Sequence, residues 1–177
     1  MIDVTEIDAP EALVDAIALL KSDHRKVESL FVQYEGSDEE SEKKELASQI
    51  CLELKIHTTI EEEIFYPSLR GMIEDDTIEE AYVEHDGAKV LLNDIAAGDP
   101  GDEFYDAKVT VLSEQIKHHV REEEMPDTGM FAQARASGVD LITLGAELKA
   151  RKQALMAEAT TNGLPPAKPA VVNLPAA

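Results

Sequence analysis

The chain has 177 residues, enough for one domain with a sizeable core, and its 37 acidic residues against 16 basic ones give a net charge of −21. That balance lacks the basic footprint that nucleic acid or an anionic membrane requires, so neither is expected as a partner, whereas cations are attracted. Cys51 is the one cysteine and permits no internal disulfide; no apolar run approaches the ~20 residues of a membrane helix, and the acidic start "MIDVTEIDAP" lacks a secretory leader's parts, so a cytoplasmic protein is expected.

Every segment reads as helix. In "PEALVDAIALLKSDHRKVESLFVQYEG", Leu13, Ile17, Leu20, His24, Val27, Phe31 and Tyr34 recur at spacings of three and four, an apolar stripe with a histidine inside it. Pro10 and Gly36 suit its two ends. A second helix is expected from about Asp38 to Leu69, striped by Leu46, Ile50, Leu54, His57, Glu61 and Ile64 or Phe65, and closed by Pro67 and Gly71. A third, about Asp75 to Ala97, carries Ile78, Ala81, His85, Ala88, Leu92 and Ile95. A fourth, about Asp102 to Met125, carries Tyr105, Val109, Leu112, Ile116, His119 and Glu123 before Pro126 stops it. A fifth, about Val139 to Ala159, shows Leu141, Leu144, Leu148 and Leu155. The last stretch, "TTNGLPPAKPAVVNLPAA", has four prolines and no period, which predicts a disordered tail.

Four long helices with short connections predict an all-α, up-down-up-down four-helix bundle, with the fifth helix added along its outside and a disordered Pro-rich tail after it. The domain is expected over residues 1–160 and the tail over 161–177. The first hairpin is uneven in height, since His24 lies twelve residues before Gly36 and His57 nineteen after Asp38. A second helix beginning near Lys44, with "SDEESEKK" partly a connection, would remove that mismatch.

Each bundle helix sets a histidine on its core-facing stripe, and two of them add a glutamate four residues later on the same face. One such pair alone is more often an exposed ion pair, and one core histidine a structural residue. The repetition changes the reading: His24 precedes His57 by 33 residues and His85 precedes His119 by 34. A buried carboxylate beside a buried imidazole is costly unless compensated, and a shared metal ion compensates both. His24, His57, Glu61, His85, His119 and Glu123 are the candidates. Six N and O donors exceed one tetrahedral zinc and suit two ions bridged by carboxylates.

Neighbouring residues receive weaker readings. His118 also has a glutamate four residues on, Glu122, but lies off the stripe of Leu112 and Ile116 and is placed at the flank. Glu62 and Glu124 turn about 100° off the stripe and read as solvent-facing or as supports for the ligands. Asp23 and Glu84 precede their histidines and read as a solvated face, with steadying an imidazole on a neighbouring helix as the alternative, and Gly87 reads as close packing or room for a ligand. Tyr34, Tyr66, Tyr82 and Tyr105 read as core, with one of them within reach of the metals left open.

"SDHRKVESLF", "IHTTIEEEIFYP", "VEHDGAKVLL" and "HHVREEEMP" resemble the hemerythrin-like HHE cation-binding domain over about residues 10 to 135. "DLITLGAELKARKQALMAE" is similar to extensions of bacterial members. The resemblance implies a non-haem di-iron site with His24, His57, His85 and His119 as imidazole ligands and Glu61 and Glu123 as carboxylate ligands. It further implies two iron ions per chain with a bridging oxo, hydroxo or water ligand. The partner implied is a small diatomic or peroxide, so the expected function is binding or reaction with O2, NO or H2O2, catalase-like peroxide breakdown included. The alternative is a metal or oxygen sensor signalling through the C-terminal helix and tail. Two features depart from the family: "MPDTGMFAQAR" replaces the aromatic-proline ending after the second HxxxEE, and the marine oxygen carriers use five histidines with a glutamate and an aspartate.

Overall fold

The computed structural model describes residues 14–173, and among them the chain is helical with no strand. Helix α1 spans Ala16–Gly36 and α2 spans Glu40–Ile60, which continues through a π-helical turn, Glu61–Phe65, into α3, Tyr66–Leu69. Then follow α4, Asp75–Ala97; α5, Tyr105–Glu124; α6, Met130–Ser137; and α7, Leu141–Asn162. Asp15 caps α1 by accepting from the Ala18 amide, and the expected start near Pro10, with Leu13, lies outside the described residues. No described helix is long and apolar enough to cross a membrane.

Helices α1, α2, α4 and α5 form the bundle, each packed on the next and α5 returning to α1. Their stripes build two apolar clusters. One holds Val27, Phe31, Leu54, Leu92 and Leu112; the other holds Ile17, Leu20, Ile60, Ile78 and Phe131. A polar layer separates them, made of His24, His57, Glu61, His85, His119 and Glu123, all buried. Burying each large apolar side chain contributes roughly 1.5–3 kcal/mol, and the clusters hold the polar layer closed from both ends. Cys51 is a buried, free thiol in the first cluster.

Helix α2 begins at Glu40, so the connection is only residues 37–39 and the start suggested near Lys44 is corrected. Side chains lean toward their own helix N-terminus. In an antiparallel pair His24 therefore leans away from the hairpin loop and His57 toward it. The two leans close the height mismatch, and the imidazoles meet.

Helix α6 was not expected. Its eight residues make about two turns, too few for a period to stand out. It docks against the end of α5 through Gly129, where an added Cβ would lie 2.6 Å from the Glu122 carbonyl oxygen. Helix α7 packs on α1 and α2, as expected of a fifth helix on the outside. Gly145 permits its approach, because a Cβ there would lie 2.2 Å from the Val14 carbonyl oxygen.

Of the Pro-rich stretch expected as a disordered tail, residues 163–173, here the strap, are described and residues 174–177 lie outside those described. Asn93 donates to the Ala167 carbonyl and accepts from its amide, both at 2.8 Å. Asp86 accepts from the amides of Ala170, Val171 and Val172 at 2.6–2.7 Å. These anchors use the strap's backbone, which leaves no side-chain pattern to read.

Candidate metal centre

All six candidates meet in the polar layer. The Nε2 atoms of His24 and His57 stand 3.1 Å apart, and those of His85 and His119 stand 3.2 Å apart. Glu61 Oε2 lies 3.1 Å from His57 Nε2 and 3.4 Å from His85 Nε2, so one oxygen faces both pairs. Glu123 spans them with two oxygens, Oε2 at 3.4 Å from His24 Nε2 and Oε1 at 3.6 Å from His119 Nε2.

This arrangement fits a cation. Ligand bonds of ~2.0–2.2 Å set neighbouring donors around one ion about 3 Å apart, close to the separations here. Two imidazole nitrogens facing each other gain nothing from contact unless a proton or a cation lies between them. Glu61 Oε1 and Glu123 Oε2 are buried without a hydrogen-bond partner, a state that buried carboxylates avoid. His24, His57, Glu61 and Glu123 form one donor group, and Glu61, His85 and His119 another.

Burial pushes the His24 imidazole down, but the Glu123 and Glu124 carboxylates beside it outweigh that and hold the group at about 10. Burial, reinforced by the Glu123 charge, raises Glu61 above the ordinary carboxylate range.

A second set of carboxylates turns the imidazoles inward. Glu124 of α5 lies 2.8 Å from His24 Nδ1 on α1, Glu62 of the π turn 3.0 Å from His85 Nδ1 on α4, and Glu84 of α4 2.7 Å from His119 Nδ1 on α5. Asp23 of α1 faces His57 Nδ1 on α2 at 3.7 Å, beyond hydrogen-bond distance. Each bundle histidine thus meets a carboxylate from the preceding helix of the bundle, and the series closes on itself. Donation from Nδ1 leaves Nε2 with a free lone pair toward the centre, the tautomer that a metal requires. Asp23 and Glu84, read from sequence as a solvated face, belong to this ring; so do Glu62 and Glu124. The signal was present, an acid before the first histidine and a second glutamate after HxxxE in both halves.

Tyr66 is the tyrosine that reaches the layer. Its hydroxyl lies 3.0 Å from Glu123 Oε1, 3.2 Å from His85 Nε2 and 3.4 Å from Glu61 Oε2. The π turn sets it there: the Tyr66 amide donates to the Glu61 carbonyl, a five-residue step that stacks Tyr66 over Glu61. Burial, with the charges of Glu123 and Glu61, raises the phenol well above its ordinary value and keeps it a donor. Phe131 of α6 stacks on the His24 ring at 5.8 Å and meets Phe65 edge-on. The departure "MPDTGMFAQAR" therefore supplies a wall to the site. On the opposite side Val27, Leu54, Ile116 and Val120 line a cavity of about 10 Å³ beside the four imidazoles, at the lower limit of the space one water needs.

His118 is exposed, as its flank position predicts, and contacts Glu84 and Glu122 at 3.3 and 3.2 Å. At Gly87 the close-packing reading does not hold, because an added Cβ would meet nothing within 4 Å.

Known proteins resemble this chain in three comparisons. The family model described as Hemerythrin HHE cation binding domain matches residues 15–127. A curated protein of Nostoc sp. described as a DNA nickase is 32% identical over 106 residues, which are 60% of this chain. The match spans 30% of that protein's length. A solved structure, a Hemerythrin HHE cation binding domain-containing protein from Mycobacterium kansasii, shares the fold with a TM-score of 0.68. That likeness covers 85% of this chain and 95% of the other at 21% identity.

Proposed function

The chain belongs to the hemerythrin HHE cation binding domain family, and from that premise we propose that it is a non-haem di-iron protein that binds or reacts with small oxidants such as O2, NO or H2O2. The observation that supports this most is the convergence of four inward-turned Nε2 atoms on two fully buried carboxylates. His24 and His57 with Glu61 and Glu123 would hold one ion, and His85 and His119 with the same two carboxylates the other. A mixed imidazole and carboxylate set suits iron, which when bound supplies the capacity to exchange electrons with a small oxidant.

The chain's own residues set the conditions. Glu124, Glu62 and Glu84 keep the Nδ1 protons of His24, His85 and His119 outward. The Tyr66 hydroxyl holds a proton at Glu123 Oε1, a donor inside the buried layer. Phe131 and the apolar cavity wall restrict entry to molecules of a few atoms.

A second reading, a metal or oxygen sensor, is favoured by the docking of the C-terminal strap on α4 one residue from His85. DNA cleavage is not carried over from the Nostoc relative, since the match spans 30% of that protein and an acidic balance of −21 disfavours a nucleic-acid partner.

Purification under air, followed by metal analysis and the near-ultraviolet and visible spectrum, tests the proposal. About two irons per chain with ligand-to-iron charge-transfer bands are expected. A chain that takes up no metal even after ferrous reconstitution overturns it.

A further inference from the structure

Lys89 is buried inside the bundle's acidic surround, and a buried ammonium is costly unless charged partners satisfy it. Its partners run in a line. Lys89 Nζ meets both oxygens of Glu62, at 2.7 and 2.8 Å, and Asp86 Oδ1 at 3.1 Å. Glu62 in turn lies 3.0 Å from His85 Nδ1. Asp86, fully buried, accepts three backbone amides of the strap. An unbroken series of charged hydrogen bonds thus joins the strap to one imidazole of the metal layer.

The other corners are braced differently. Glu124 is held by Lys21 and Arg25, both exposed, and Glu84 by the exposed His118. Asp23 is held by Lys152 of α7. Only at His85, among the described residues, does the brace run through a buried lysine to the C-terminal strap.

Resting on the reading of His85 as a metal ligand, we infer that Lys89 is a positioning residue for His85 and that strap docking and cation binding stabilise each other through Asp86, Lys89 and Glu62. Asp86 and Glu62 compete for one ammonium. Three strap amides saturate Asp86, so Lys89 sits closer to Glu62, and Glu62 keeps the imidazole turned. When the strap lifts, Asp86 loses its amide donors and draws Lys89 away from Glu62. The His85 ring then loses its fixed tautomer. Binding linkage is reciprocal, so whatever factor the strap adds to cation affinity, the cation adds to strap docking. The strap also roofs a cavity of about 390 Å³ lined by Glu62, Lys89 and Leu164–Lys168, where a partner displacing the strap would gain contact with the same Glu62.

Cobalt(II), whose visible spectrum reports its coordination, is the probe. Hydrogen exchange at Ala170, Val171 and Val172 is measured on the full chain, cobalt-loaded and metal-free, and cobalt release to a chelator is timed. Loading is expected to slow exchange of the three amides by about tenfold, within the usual range of such couplings. Lys89→Met should shift the cobalt spectrum and speed release of one cobalt by about tenfold, the scale set by outer partners of a metal ligand. Lys89→Arg should restore both. Asn93→Ala, which loosens the strap away from the charged series, should also speed release and leaves the inference testable where Lys89→Met fails to fold. Cobalt bound in full with unchanged strap exchange, or release unchanged in Asn93→Ala, overturns the inference and leaves the metal centre standing. A wild-type chain that binds no cobalt overturns the metal centre itself and the inference with it.

Discussion

The Glu84 carboxylate on α4 accepts from Nδ1 of His119 on α5 at 2.7 Å, the shortest brace in the ring around the metal layer. The bond fixes the ring's tautomer and orientation, with Nε2 toward the centre. Glu84→Gln keeps the shape and removes the charge. It is expected to weaken cation binding by about 10–100-fold, the usual cost of losing such a partner, with helix content unchanged. Competition against a chromophoric chelator, with circular dichroism as the fold control, measures this.

Tyr66→Phe removes the single hydroxyl that donates to Glu123 Oε1 inside the layer. A hydrogen bond to a charged group contributes roughly 1.5–3 kcal/mol, and the metal-free protein should lose about that much stability. Urea unfolding in excess chelator gives the value. A variant as stable as wild type would show that the hydroxyl is not spent on Glu123.

Phe131 is buried between His24 and Phe65 at the end of α5. Truncation to alanine leaves a cavity against an imidazole, and about 3–5 kcal/mol of stability should go with it. The same variant should open the site from the α6 side. Faster loss of cobalt(II) from the loaded chain to a bulky chelator would reveal that opening.

The stripes were legible because histidine and glutamate occupy positions otherwise given to leucine and isoleucine, as His57 and Glu61 do after Leu54. That alone picked out the bundle and the six residues that meet in its buried polar layer. The ring of supporting acids was half legible: an acid before each first histidine and a second glutamate after HxxxE are in the sequence, but which imidazole Glu84 faces shows only once α5 stands next to it. The π turn leaves no side-chain signature: it is a change of backbone hydrogen-bond step, visible only once Tyr66 donates to Glu61. Helix α6 is too short to show a period, and the strap is held by amides rather than side chains.

Asp106, at the start of α5, accepts from Lys43 at 2.8 Å and from the Tyr34 hydroxyl at 2.7 Å. The Lys43 bond first, and then Tyr34, hold its carboxyl below the ordinary value of 3.8. A depressed folded value means that the contribution is complete above 3.8 and is lost as pH falls through the lower folded value. Asp106 is largely exposed, so the contact is worth about 1 kcal/mol or less. Asp106→Asn should remove that much at pH 7 and flatten the stability loss below about pH 4. Parallel urea titrations at pH 7 and pH 3 decide it, and parallel acid limbs for both proteins count against the role.

Gly87 sits within α4 with open space where a side chain would go. Alanine there restricts the unfolded chain and favours helix, so Gly87→Ala should stabilise by up to ~1 kcal/mol. A higher midpoint in thermal unfolding is the expected sign. A lower one would mean that the open space is used.

The two hairpins are near copies, each with an acid and histidine on one helix and HxxxEE on the next, yet only the first carries the π turn. A π turn holds one residue more than the α-helix it interrupts. That single residue brings a phenol to one face of the layer and leaves the other without one. Two halves that the repeat would make twins are therefore unlike, and a cation entering the layer would meet a different face on each side. Removing one residue from Glu61–Phe65 would swing Tyr66 away and return the centre to the symmetry of its halves.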